Sequence, residues 1–317
     1  MKSFIPCQRL ALFLILPGLQ MSDANAQRIR SPEVHGDGTV TLRLKSASPR
    51  KIVVEIDGAE LLMTKGANDD WSVTTAKLPA GIHNYSFTVD GTRMIDPLNR
   101  NVKKWFSLAS MVVVPGDPPL LTEFQDVPHG VVHRLIYRSA TVGHSRPVMV
   151  YTPPGYNAAA GQSYPLLVLL HGFGDDETAC TEVGRAHLIA DNLIASDTTQ
   201  KCVIAMPYGH PIPPPFHDQP DEDIPDNADL YEQDIMTYLL PFLEEHFRLH
   251  ASAANRSIAG LSMGGGHAIY TGLKNTDTFG AMGAFSAATP ELESAALRKK
   301  YPALTGPHAP ANTLRHF

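Results

Sequence analysis

Asn255-Arg256-Ser257-Ile258-Ala259-Gly260-Leu261-Ser262-Met263-Gly264-Gly265-Gly266 decides the fold class. Residues up to Leu261 read as a strand, and a helix begins at Ser262. Gly260-x-Ser262-x-Gly264 between them is a sharp strand-to-helix turn, whose glycines let backbone come close to neighbouring elements. Ser262 sits at the apex of that turn, on a helix N-terminus, with its oxygen exposed. The next backbone N–H, that of Met263, can face a developing oxyanion. The bare pattern often arises by chance. The apolar strand before it and the small-residue helix after it supply the context that gives it meaning.

The surrounding chain agrees. Leu166-Leu167-Val168-Leu169-Leu170 is a continuous apolar run, as expected for a strand covered on both faces of a central sheet. His171-Gly172-Phe173-Gly174 follows it directly. Val131 to Tyr137, Pro147 to Tyr151, Cys202 to Met206 and Ala281 to Ser286 read as further strands. Helices are expected over about 177–196 and 227–247, the second bending at Pro241. Alternation of this kind means a mostly parallel α/β sheet.

Residues 30–114 have a different pattern. Short alternating runs (Thr39–Leu44, Lys51–Ile56, Trp71–Thr74, Ile82–Val89, Ser110–Val114) are punctuated by Asp57-Gly58 and Asp90-Gly91. They predict an all-β, immunoglobulin-like sandwich. Pro115-Gly116-Asp117-Pro118-Pro119 opens a linker. The expected organisation is a sandwich over 27–114, a linker over 115–129 and an α/β unit over 130–317. Residues 27–120 carry 12 Lys+Arg against 10 Asp+Glu, and residues 121–317 carry 12 against 21. The whole chain, at net −6 with no Lys/Arg run, gives no basis for binding nucleic acid.

At the start, Lys2 and Arg9 precede the apolar run Leu10–Leu19, and Ala24-Asn25-Ala26 supplies small residues. That is the layout of a signal peptide removed before Gln27, with an apolar run too short to span a bilayer. The expected location is secreted or periplasmic, with no membrane attachment. An exported chain with Cys180 and Cys202 left could bridge them, and two separate thiols read equally well. Neither cysteine has the Cys/His context of a nucleophile or a metal site.

With these motifs in place, the chain resembles the esterase D family of α/β-hydrolases, which includes feruloyl, acetylxylan and enterochelin esterases. The matching residues are Pro165–Asp176, Ala259–Gly266, Tyr151-Thr152-Pro153-Pro154-Gly155-Tyr156 and Tyr238–Glu244. The sandwich is similar to the early-set domains, related to glycogen-binding modules, that often precede such esterases. The resemblance implies hydrolysis of carboxylic esters without a metal or organic cofactor. Ser262 would attack the carbonyl, with the amides of Met263 and Phe173 as oxyanion donors. His171 is expected to order its loop by hydrogen bonding. The substrates implied are feruloyl or acetyl esters of plant polysaccharide; siderophore or small acyl esters are the alternative.

The family pattern also requires an acid and a histidine after the nucleophile, each following a further strand. Fifty-five residues follow Ser262, and beyond Ser286 they contain no apolar strand. No triad acid or histidine is identifiable. Asp277 and His267 read as surface or packing residues, and His308 and His316 lie in a tail without a visible scaffold. The expectation is an α/β-hydrolase incomplete at its C-terminal strands, its natural tail replaced after about Leu304. Such a chain would show little turnover, and a catalytically inactive, carbohydrate-binding derivative is the competing reading. Trp71 and Tyr85 are expected in the sandwich core, and Trp105 on its surface, where it could meet a sugar. The acidic stretch Asp218, Asp221, Glu222, Asp223, Asp226, Asp229, Glu232 and Asp234 reads as a solvated loop feeding a helix.

Overall fold

The computed structural model describes residues 29–104, 108–211 and 227–287. The predicted signal segment, Trp105, most of the acidic stretch, His308 and His316 lie outside the described residues.

Two antiparallel sheets come first. One runs β1 (Glu33–Val34), β2 (Val40–Lys45), β6 (Asp70–Thr74) and β5 (Thr64–Lys65). The other runs β4 (Ala59–Leu62), β3 (Ile52–Ile56), β7 (Gly81–Val89), β10 (Ala109–Val114) and β9 (Val102–Lys103), with β8 (Thr92–Met94) on β7. Period-two alternation decides which side chains meet. Val40, Leu42 and Leu44 from the first sheet share one core with Ile52, Val54, Ile56, Phe87, Val112 and Val114 from the second. Trp71 and Tyr85 are buried there as expected. Asp57-Gly58 and Asp90-Gly91 turn β3 into β4 and β7 into β8 with positive φ at both residues, the backbone that two-residue hairpins need. The two- to four-residue strands β1, β4, β5, β8 and β9 are too short to produce a readable alternation and were not expected.

The segment expected as a linker is fastened at several points. Glu123 Oε1 accepts from the amides of Gly116 (2.7 Å) and Leu120 (2.8 Å). The buried Asp191 receives the Gly130 amide (2.9 Å), the Tyr151 hydroxyl (2.6 Å) and His129 Nδ1 (2.8 Å).

The third sheet is mixed. Its order is β11 (Val131–Ser139), β12 (His144–Thr152), β14 (Val203–Pro207), β13 (Leu166–Leu170), β15 (Arg256–Leu261), β16 (Ala281–Phe285). The four strands from β14 to β16 are parallel; β11 and β12 form an antiparallel hairpin at one edge, with β12 antiparallel to β14. Leu166, Val168 and Leu170 of β13 face one apolar cluster, and Leu167 and Leu169 pack against another on the opposite face. Burying Leu166 and Leu170 contributes about 1.5–3 kcal/mol each, which is why this uninterrupted run belongs in the middle of the sheet.

The helices depart from expectation in two places. The stretch 177–196 is two helices, α1 (Ala179–Glu182) and α2 (Ala186–Ala195), because Gly184 turns its N–H back to Ala179 O (2.9 Å) and Arg185 adopts φ 52°. The helix expected over 227–247 is α3 (Asn227–Asp234), a π-helical turn (Ile235–Leu239) and α4 (Leu240–His246). Pro241 has no N–H for the preceding turn, and the widened turn ahead of it accommodates that loss without a break.

The most consequential difference concerns Asp234, read from the sequence as part of a solvated segment. It is fully buried, 2.8 Å from the equally buried Arg146 Nε, and receives the Tyr137 hydroxyl at 2.6 Å. Removing one partner of such a pair strands a charge in the interior and costs about 3–5 kcal/mol.

Candidate active site

Parallel strands paired side by side end at the same edge of their sheet. Leu170 of β13 lies opposite Gly260 of β15, so His171 and Ser262 emerge together at the carboxyl edge. The chain after β14 emerges there too, on the other side of β13. The chain leaves β13 for β14 on one side and leaves β15 for β16 on the other, so the connections diverge between β13 and β15, which is where ligands of open α/β sheets bind.

Ser262 has φ 54° and ψ −116°, a conformation that residues with a side chain rarely adopt. Several contacts fix it. Its own N–H donates to Phe285 O at the end of β16 (2.9 Å), and Gly266 N–H donates to Ser262 O (3.0 Å). From Met263 the chain enters α5 (Met263–Lys274), so Ser262 caps that helix. The glycines are needed for approach. A Cβ on Gly264 would lie 2.5 Å from the carbonyl oxygens of both Leu170 and His171, and one on Gly260 would collide with the Gly264 backbone. Ser262 is thus a half-buried, strained serine at a strand–helix junction, on a helix whose first N–H groups have no partner within the helix.

The 171–174 loop lies against it. A Cβ on Gly172 would be 3.7 Å from Ser262 Cβ. His171 is buried and uses both ring nitrogens on backbone. Gly209 N–H donates to Nε2 (2.7 Å), which fixes the proton on Nδ1, and Nδ1–H donates to Gly172 O (2.8 Å). Burial holds the His171 pKa below the usual histidine range, so this neutral tautomer persists at neutral pH. His171 is thus a loop-ordering residue. The Phe173 side chain is exposed.

Leu261 and Phe285 are also exposed. A few residues on, the acidic run Asp175–Glu177 is engaged throughout. Lys103 Nζ lies 3.5 Å from Asp175, Asp176 Oδ1 accepts from the Thr178 amide (2.8 Å), and Arg134 meets Glu177 (2.9 Å). Lys104 Nζ meets Glu182 of α1 at 2.7 Å, so β9 and the residue after it touch the segment that follows the loop.

Of the partners considered for Ser262, none among the described residues completes a triad. His267 is buried on α5; its Nδ1 has no hydrogen-bond partner and burial pushes its pKa down to about 3. A triad histidine needs an acid on Nδ1 and a pKa nearer neutrality. Asp277 is exposed, beyond the end of α5 at Lys274. Among the described residues, no group of three or more His, Cys, Asp or Glu side chains is arranged to hold a metal ion. Cys180 and Cys202 are free thiols, both packed against the apolar cluster around Ile204 and Met206. Sequence reasoning reached Ser262, Met263 and the 171–174 loop. It missed the Tyr208-Gly209-His210 turn, whose only sequence signal was its place after a buried strand.

The chain is 28% identical over 267 residues to an endo-1,4-beta-xylanase/feruloyl esterase of Xylanibacter ruminicola, covering 81% of this chain and 36% of that protein. It is 28% identical over 169 residues to an esterase of Mycobacterium tuberculosis, covering 52% and 33%. The chain spans about a third of the length of the curated relatives it matches. Among solved structures, the enterobactin esterase of Shigella flexneri shares the fold, with TM-score 0.62, 21% identity, and 88% of this chain and 80% of that one covered. The family model Esterase matches residues 139–308, which is more than half of the chain and includes both the Ser262 turn and the loop beside it. The protein belongs to the Esterase family.

Proposed function

We propose that this protein is an exported serine carboxylic ester hydrolase that forms an acyl-enzyme on Ser262. The observation that carries the reading is the strained Ser262 backbone at the carboxyl edge of the sheet, against the Gly172 loop. In the first step Ser262 Oγ bonds to the ester carbonyl carbon and its proton passes to a base. His171 is not that base, because both its nitrogens are engaged. The carbonyl oxygen becomes an oxyanion facing the amides of Met263 and Phe173. Collapse expels the alcohol, which takes up the proton, and water then releases the acid by the reverse sequence. No step needs a metal or an organic cofactor.

The named xylanase/feruloyl esterase relative supports a feruloyl ester as substrate; the proposed class is feruloyl or acetyl esters of plant polysaccharide, with the N-terminal sheets as an early-set, immunoglobulin-like domain. The test is reaction of the full chain with an aryl fluorophosphonate, which transfers phosphorus to an activated serine and releases fluoride. The expected result is a single adduct on Ser262, absent in Ser262→Ala, together with slow Ser262-dependent release of ferulate or acetate from aryl and sugar esters, slow because no described residue completes a triad. An unlabelled Ser262 with no Ser262-dependent ester cleavage would overturn the reading and leave a non-catalytic, carbohydrate-binding protein.

A further inference from the structure

Arg146 and Asp234 lie far apart in sequence and away from Ser262, yet their contacts lead to its loop. Asp234 ends α3, Arg146 lies on β12, and each is fully buried. Tyr137 donates its hydroxyl to Asp234, and Arg146 Nε is 3.2 Å from the Tyr137 oxygen. The other two guanidinium nitrogens reach across to the turn after β14. One donates to His210 O at 3.0 Å and the other donates to Tyr208 O.

The second of these contacts has a geometric consequence. Tyr208 C=O and Gly209 N–H belong to the same peptide unit, and in a trans peptide they point in opposite directions. With its oxygen held by Arg146, that unit aims its N–H away from Arg146, and the N–H is found on His171 Nε2 at 2.7 Å. His171 repeats the arrangement one step later. Its Nδ1–H holds Gly172 C=O at 2.8 Å, and the same peptide unit carries the N–H of Phe173. That N–H is directed away from the imidazole, and Gly172 itself lies beside Ser262. Each hydrogen bond in such a chain polarises the next.

We propose that Asp234 and Arg146 are positioning residues for the oxyanion site, acting through the Tyr208–Gly209 peptide, the His171 ring and the Gly172–Phe173 peptide to set the direction of the Phe173 N–H. The proposal rests on the reading of Ser262 as an acylated nucleophile. The arginine fork is essential, since a lysine ammonium at the same place cannot hold two carbonyls and a carboxylate in one plane.

The experiment compares Arg146→Lys, Asp234→Asn and Tyr137→Phe in the full chain. Loss of an interaction made only in the transition state lowers kcat and leaves KM unchanged. Misdirecting one oxyanion donor is expected to lower kcat for an aryl acetate, and the fluorophosphonate rate, about 10- to 100-fold in the first two variants. Tyr137→Phe, which keeps the ion pair, should lose only a few-fold. Nitrogen-15 histidine spectra supply the reading that simple destabilisation would not move. In the wild type His171 should carry its proton on Nδ1 and show coupling of Nε2 to the Gly209 amide, and this coupling should weaken in the variants.

Folded variants with an unchanged His171 signature and unchanged kcat would overturn the relay. So would a wild-type His171 protonated on Nε2. If Arg146→Lys and Asp234→Asn do not fold, Tyr137→Phe decides. If wild type shows no Ser262-dependent chemistry, the functional reading falls, and the histidine spectra of wild type and Tyr137→Phe still decide the relay.

Discussion

Acid should weaken this fold through His267, and the size of the effect can be worked out. The residue is 7% exposed, on α5, with its ring centroid 4.7 Å from that of Tyr231 and no partner for Nδ1. Burial lowers its pKa to about 3, and the nearby His210 and His171 act in the same direction. In the unfolded chain the value is about 6.5. Above pH ~6.5 the ring is neutral in both states and adds no pH dependence. Between about 6.5 and about 3 the unfolded chain binds a proton that the folded chain does not. Stability therefore falls as pH falls, by up to about 1.4 kcal/mol per unit. From neutral pH down to pH 5 that amounts to about 2 kcal/mol from this one side chain. His267→Gln removes the titration and keeps a neutral polar group. Urea unfolding followed by helical circular dichroism reports on the α/β part, because the described α-helices all lie between Ala179 and Lys274. The wild type should lose about 2 kcal/mol more than His267→Gln between neutral pH and pH 5. Equal losses would refute the reasoning, since they would mean that His267 is already hydrated or charged in the folded state.

Ser262→Gly should be more stable than Ser262→Ala by about 1 kcal/mol, because glycine relieves the φ 54° strain at a smaller cost in unfolded-chain entropy. Thermal unfolding of the two variants checks this, and an alanine variant as stable as the glycine one would show that the serine backbone is not strained. In the native protein Cys180 and Cys202 should resist a thiol-directed disulfide reagent and react only on unfolding, since burial raises their pKa values to about 12 and about 11. Peptide mapping locates the label, and rapid modification of either residue in the folded chain would contradict that burial.

How much of this was readable in the sequence depends on how far apart the cooperating residues are. Gly260, Ser262 and Gly264 lie within five residues, with a strand before and a helix after, so the pattern and its context were visible together. Leu166–Leu170 was equally plain, because a strand covered on both faces has nothing polar to interrupt it. Asp57-Gly58 and Asp90-Gly91 marked hairpins for a local reason, their positive φ. The Gly184–Arg185 break and the π-helical turn before Pro241 were less accessible, since either stretch could also have continued as a helix until tertiary packing decided.

Arg146 and Asp234 were not legible at all, and the reason bears on the site. Eighty-eight positions separate them, and local pattern reads each as an ordinary surface charge, Asp234 more so for following a run of acids. Only the sheet order makes them neighbours: β12 pairs with β14, α3 packs over that face, and the turn after β14 lies within reach of one guanidinium. A buried ion pair is weak evidence for stability, because apolar residues of similar volume often do as well. What an apolar pair could not do is bind the carbonyls on both sides of Gly209. Stability alone gives little reason for a charge at Arg146, whereas the direction of the Gly209 N–H, and through His171 that of the loop beside Ser262, requires one.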